Sequence, residues 1–114
     1  MIGAGIAVWA LAGSLNDDGA VSPTYGYKNM SLFTYTVTYT LDPNEEPPDV
    51  IVIGYLGGNK EWEQMMSYQV IGEIYVHYTY TTTLPYTGNW SFKFQVVDGE
   101  TSHMYPGPYV DDYH

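Results

Sequence analysis

Residues 32–41, LFTYTVTYTL, alternate without a break: Phe33, Tyr35, Val37, Tyr39 and Leu41 are separated by Thr34, Thr36, Thr38 and Thr40. A period of two puts successive side chains on opposite faces of an extended strand, so the pattern predicts one aromatic face and one hydroxyl face. Such a strand needs a second sheet against its aromatic side, while threonine suits the wet side of a pleated surface. Upstream, 20–23 reads as a short strand stopped by Pro23, and 25–29 as a loop. Residues 50–56, VIVIGYL, are apolar on both faces, as in a strand at the centre of a sheet. The GGNK at 57–60 supplies hairpin chemistry, because Gly and Asn accept positive φ. Residues 61–66 then return as a strand in preference to a helical turn, and 67–72 read as a loop.

Farther on, Ile74, Val76, Tyr78 and Tyr80 alternate with Tyr75, His77, Thr79, Thr81 and Thr83, the first set inward. Over 89–97, Trp90, Phe92, Phe94 and Val96 point in while Ser91, Lys93 and Gln95 point out. A last strand over 101–110 is weakened by Pro106 and Pro108, which cannot donate to a ladder. About seven short strands at hairpin spacing, with no convincing helix, predict an all-β, antiparallel sandwich.

The run 2–13, IGAGIAVWALAG, is apolar and uncharged and stands outside those seven strands. It is too short to span a bilayer, which takes about 20 residues, so no transmembrane span is expected. No basic region precedes it, unlike a signal peptide. As an extra N-terminal strand it is apolar on both faces, as a strand buried on both sides would be. Three readings are open: a strand given to another subunit, a strand packed on its own domain, or the remnant of a leader. The turn cluster SLNDDG at 14–19 divides the chain into this segment, 1–13, and one domain, 14–114. The proline-damaged last strand leaves an imperfect edge that a neighbour's run would fill by β-addition. Ile2, Ile6, Val8, Trp9 and Leu11 are then the assembly residues, each worth at most about 1.5–3 kcal/mol on burial. Such a contact is head-to-tail and builds a filament of identical subunits.

Composition narrows the function classes. Three basic residues stand against thirteen acidic ones in 114, a net charge of −10. With only Lys28, Lys60 and Lys93 to neutralise phosphates, nucleic acid is excluded as a partner, and an anionic membrane is disfavoured. Cysteine is absent, which removes thiol catalysis, thiolate metal sites and disulfides together. Thirteen tyrosines against three phenylalanines give rings whose hydroxyls want water or a partner, a composition associated with secreted β modules. His77, His103 and His114 are not set in a nucleophile elbow or a zinc-binding helix, and the acids fall in turns, so no enzyme is expected.

The acids do crowd the loop 42–49, which a sandwich brings to the same end as the turn 98–100. Asp42, Glu45, Glu46 and Asp98 are the candidate ligands for calcium, which takes several carboxylate oxygens; solvated acidic turns are the alternative, and no other cofactor is expected. Two sequons, Asn29-Met30-Ser31 and Asn89-Trp90-Ser91, mark Asn29 and Asn89 as glycosylation candidates in a secreted chain. Tyr25, Tyr27, Tyr55, Trp62, Tyr75, Tyr86, Tyr105 and Tyr109 are candidate rings for stacking on glycans.

The runs VSPTYG, LFTYTVTYTLDPNEEPPDVIVIG, YTYTTTLPYTGNWSFKFQVVDG and PGPYV together resemble the immunoglobulin-like repeats of prokaryotic, especially archaeal, cell-surface and secreted proteins. The resemblance covers 20–110; residues 56–72 and the run 2–13 depart from it. It implies an architectural role at the cell surface, in stalks, sheaths and adhesins. The expectation is therefore a non-enzymatic extracellular structural protein, a self-assembling pilus-like filament subunit. The alternative is a carbohydrate- or surface-binding adhesin module of a larger secreted protein.

Overall fold

The computed structural model describes residues 13–113, so the assembly residues Ile2, Ile6, Val8, Trp9 and Leu11 and the expected extra strand lie outside it. The alternating threonine run forms a strand over Phe33–Thr40 whose residues are buried and half-buried by turns. It pairs antiparallel along its whole length with Tyr75–Thr82, from Phe33 opposite Thr82 to Thr40 opposite Tyr75. In chain order the strands are β1 (Ser14–Leu15), β2 (Ala20–Ser22), β3 (Tyr25–Tyr27), β4 (Phe33–Thr40), β5 (Val50–Leu56), β6 (Asn59–Met65), β7 (Ser67–Ile71), β8 (Tyr75–Thr82), β9 (Gly88–Val96) and β10 (Tyr105–Asp111). No helix occurs among the described residues.

Two sheets pack as a sandwich. One runs β1-β4-β8-β7, with β2 also on β4, and the other runs β3-β10-β9-β5-β6. This order is the Greek key of an immunoglobulin-type sandwich, with the first strand split at Pro23 so that β2 joins one sheet and β3 the other. The core lies where the aromatic face of β4 meets β5 and β9: Phe33, Tyr35, Val37, Val52, Trp90, Phe92 and Phe94 are all buried. Tyr35 meets Phe92 edge-on at 5.0 Å, and Phe92 stacks on Tyr105 at 5.4 Å, both geometries that the ring quadrupole favours. The core contains no buried polar or charged residue among those described. The Trp90 indole reaches its rim and donates to the Tyr86 carbonyl at 3.0 Å.

Ten described strands replace the expected seven. Residues 25–27 and 67–71, read as loops, are strands, and part of the 14–19 turn is the two-residue β1. Each is short and borrows its extended form from a longer neighbour, β10, β8 and β4 respectively. Ile74, expected inward, is exposed just before β8 begins. The expected strand 61–66 is β6, joined to β5 by a turn in which Gly57 and Gly58 have φ of 60° and 82°, the conformation of a two-residue type I′ hairpin.

The last strand is not an edge. β10 lies between β9 and β3, with Tyr109, Val110 and Asp111 parallel to Tyr25, Gly26 and Tyr27. The prolines are absorbed by a register shift between Pro106 and Tyr109, so Tyr105 and Val110 stay buried on either side. The groove expected there for a donated strand is therefore closed over 109–111.

Candidate functional site

The acidic loop 42–49 and the 98–100 turn do share one end of the sandwich, since Val97 donates its N–H to the Asp49 carbonyl at 2.9 Å. Within that end Glu45 is turned inward. Its Oε1 accepts from the backbone N–H groups of Gly13 and Asp42, each at 3.0 Å, and its Oε2 accepts from the Tyr39 hydroxyl at 2.7 Å. Burial pushes the Glu45 carboxyl up, but the three donors outweigh it and hold the group below the usual carboxylate range. Burial, and then the same contact, raise the Tyr39 hydroxyl. Glu46 is exposed, and Asp98 sits exposed in its turn at φ 61°. Among the described residues no group of three or more His, Asp or Glu side chains converges on a common cation position. Asp42, Glu45, Glu46 and Asp98 share an end of the molecule without being gathered.

Other carboxylates also act as ties between remote segments. Asp18 accepts from the N–H and hydroxyl of Thr38 at 3.0 and 2.6 Å, beside Asn16, whose side chain bonds Thr38 and Thr40. These side chains bridge the gap between β1 and β2, so part of the threonine face of β4 is used internally. Glu100 accepts the Leu15 N–H at 2.9 Å. Asp17 accepts the Tyr105 hydroxyl at 2.9 Å and lies 3.3 Å from His103 Nε2. These groups line a cleft with Ser102. The Ser102 hydroxyl accepts from the Phe94 N–H and donates to the His103 carbonyl, so it is bound to backbone rather than to the imidazole. His77 stands mid-strand between Thr38 on β4 and Gln69 on β7.

Both sequon asparagines are exposed. Asn29 takes φ 58° in the β3–β4 loop, and Asn89 lies on β9 directly opposite Tyr109. The candidate sugar-stacking rings divide. Tyr105 is core, Trp62 packs on Tyr35 and Tyr80, and Tyr55 faces Lys93 Nζ at 5.4 Å. Tyr75 and Tyr86 are exposed singly. Tyr25, Tyr27 and Tyr109 come together, joined by Tyr113, which sequence reasoning missed. Tyr25 and Tyr109 lie 5.7 Å apart at 18°, and Tyr27 meets Tyr25 and Tyr113 edge-on at 5.8 and 5.4 Å. The Tyr25 hydroxyl donates to Asp111 and is raised mainly by that bond.

No protein-family model matches the chain, and no curated protein matches it. No helix of the described residues is long and apolar enough to cross a membrane.

Proposed function

We propose that this chain is a non-enzymatic, extracellular structural module whose copies join head to tail into a surface filament, each donating its apolar run 2–13 to the next. The observation that carries this reading is the course of the chain. Gly13 enters beside Thr40 and the Glu45 loop at one end of β4. The other terminus leaves by the β3–β4 loop, where Lys28 donates its N–H to the Asp111 carbonyl and its Nζ lies 3.0 Å from Asp112. Eight residues of β4 at about 3.3 Å each separate these points by about 25 Å, the length of the sandwich. Entry and exit at opposite ends suit a module that is strung or stacked in line. The apolar run precedes Gly13 in the chain, at this entry end. The resemblance to repeats of prokaryotic surface proteins supports the same role.

Burial of Ile2, Ile6, Val8, Trp9 and Leu11 gives each up to about 1.5–3 kcal/mol, against an association cost of about 4–15 kcal/mol. Negative-stain imaging and size exclusion test the reading. The full chain is expected to form linear polymers and the chain lacking 1–13 to be unable to. Equal polymerisation of both would sink strand donation.

A second reading, a carbohydrate-binding module, is favoured by the Tyr25–Tyr27–Tyr109–Tyr113 cluster with Asp111 at its side. Affinity electrophoresis in neutral polysaccharide tests it. Retardation abolished by Tyr109→Ala supports this reading, and unretarded migration of the wild type rejects it.

A further inference from the structure

Sheet edges expose unpaired backbone donors and acceptors, and soluble proteins blunt them with brevity, charge, proline or bulges. Four such edges bound the described sandwich, and three are blunted. β1 and β2 have two and three residues, with Pro23 following β2. β3 has three residues. β6 is long, but carries Lys60, Glu61 and Glu63, and its pairing with β5 shifts register at Gly54. β7 is different. Its five residues, SYQVI, include no charge and no proline, and its pairing with β8 is regular from Ser67 to Ile71. All five are exposed.

The exposure of Tyr68 and Val70 is the second observation. They stand directly opposite Tyr78 and Val76 and so share the inward face of the sheet. Yet Tyr78 and Val76 are fully buried while Tyr68 and Val70 remain 47% and 45% exposed. The facing sheet does not cover this margin, and Met65 at the end of β6 is also exposed.

We infer that β7 is a two-fold interface, pairing antiparallel with β7 of a second copy and joining the two sheets into one. The occupant follows from charge and register. A chain of net charge −10 repels its own copies over most of its surface, but 64–72 carries no charged residue, the nearest being Glu63 and Glu73. Antiparallel pairing centred on Gln69 sets Tyr68 against Val70 of the second copy, twice by symmetry, and Gln69 against itself. An aromatic ring beside a β-branched residue is a favourable cross-strand pair, and a two-fold contact must be self-complementary in this way. The contact lies along the side of the sandwich, so it is lateral. It uses none of residues 1–13, and the donated run of the filament reading would compete with it for this edge.

Disulfide trapping in the full chain tests the register, because the chain has no cysteine of its own. Antiparallel partners lie about 4.5–5.5 Å apart at Cα, within the range of about 4.4–6.8 Å that a disulfide accepts. Gln69→Cys is expected to oxidise to a covalent dimer of the 12.8 kDa chain, while Glu61→Cys on the charged edge stays monomeric. Adding Val70→Asp, which removes the β-branched partner of Tyr68 and adds a like charge to each copy of an already acidic chain, is expected to abolish the crosslink with the melting transition kept. The crosslink is expected to survive removal of 1–13, even where that removal abolishes polymers. Crosslinking of Gln69→Cys no faster than Glu61→Cys would overturn the proposal. Loss of the crosslink on truncation would overturn it too, giving the edge to the apolar run instead.

Discussion

Replacing Glu45 tests whether the acidic end of the sandwich is architecture. Its carboxylate holds three donors from three places: Gly13 at the head of the domain, Asp42 in its own loop, and Tyr39 on β4. Hydrogen bonds to a charged group are worth about 1.5–3 kcal/mol when well shielded. Glu45 is half-exposed, so solvent screening reduces the set to about 2 kcal/mol in total. Unfolding entropy of about 2.1 cal/mol/K per residue gives about 0.24 kcal/mol/K for 114 residues, so Glu45→Ala should lower Tm by about 8 °C at pH 7. Glu45→Gln keeps an oxygen for the two backbone donors and should cost about half as much. The carboxyl is depressed in the folded state, so its contribution is present above the unfolded value of about 4.3 and is lost as pH falls through the folded one. Calorimetry at pH 7 and pH 3 should therefore show the Glu45→Ala deficit shrinking in acid. Tyr39→Phe should couple to it in a double-mutant cycle. A deficit as large at pH 3 as at pH 7, or none at either, would refute the latch.

Three further outcomes are expected. Gly54→Ala places a methyl group against the Trp62 indole, which is packed on Tyr35 and Tyr80; overpacking should cost about 1–3 kcal/mol in urea unfolding and change the tryptophan emission. Asp18→Ala removes both bonds to Thr38 and should cost about 1–2 kcal/mol, with faster hydrogen exchange at the Thr38 amide as the local readout. Calcium should leave Tm unchanged, because Glu45 is already satisfied by protein donors and stands apart from a cation cluster; a rise in Tm reversed by chelator would show that Asp42, Glu46 and Asp98 regroup around the ion.

What the sequence made legible was whatever one strand decides alone. β4 and β9 alternate because each has one face in the core, and the pattern gave both faces correctly. β5 reads as apolar throughout, and it is central, between β9 and β6, with Val50, Val52, Ile53 and Gly54 buried and Ile51, Tyr55 and Leu56 half-buried. The acidic loop was visible as a density of carboxylates, but not the direction in which Glu45 points. Its partner Gly13 is 32 residues away in sequence, a distance over which no local signal acts. Pro106 and Pro108 read as damage to the last strand, yet a register shift lets Tyr105 and Val110 reach the core on either side of them. That adjustment depends on β9 and β3 both being present, and neither is encoded in 101–110.

β7 is the harder case. Its residues are extended because β8 is beside them, and exposed because nothing described lies on the other side. Both conditions concern neighbours, and the alternation of Tyr68 and Val70 with Ser67 and Gln69 is cut short by Ile71 and Gly72, so the stretch reads as loop. The one signal is an omission. In a chain with sixteen charged residues in 114, the stretch 64–72 has none, while the other long edge carries three. Keeping charge off an exposed edge strand exposes the chain to aggregation unless a partner covers it. The missing charge is thus a constraint on the assembled molecule, and it becomes readable only once the fold shows that these five residues are an edge.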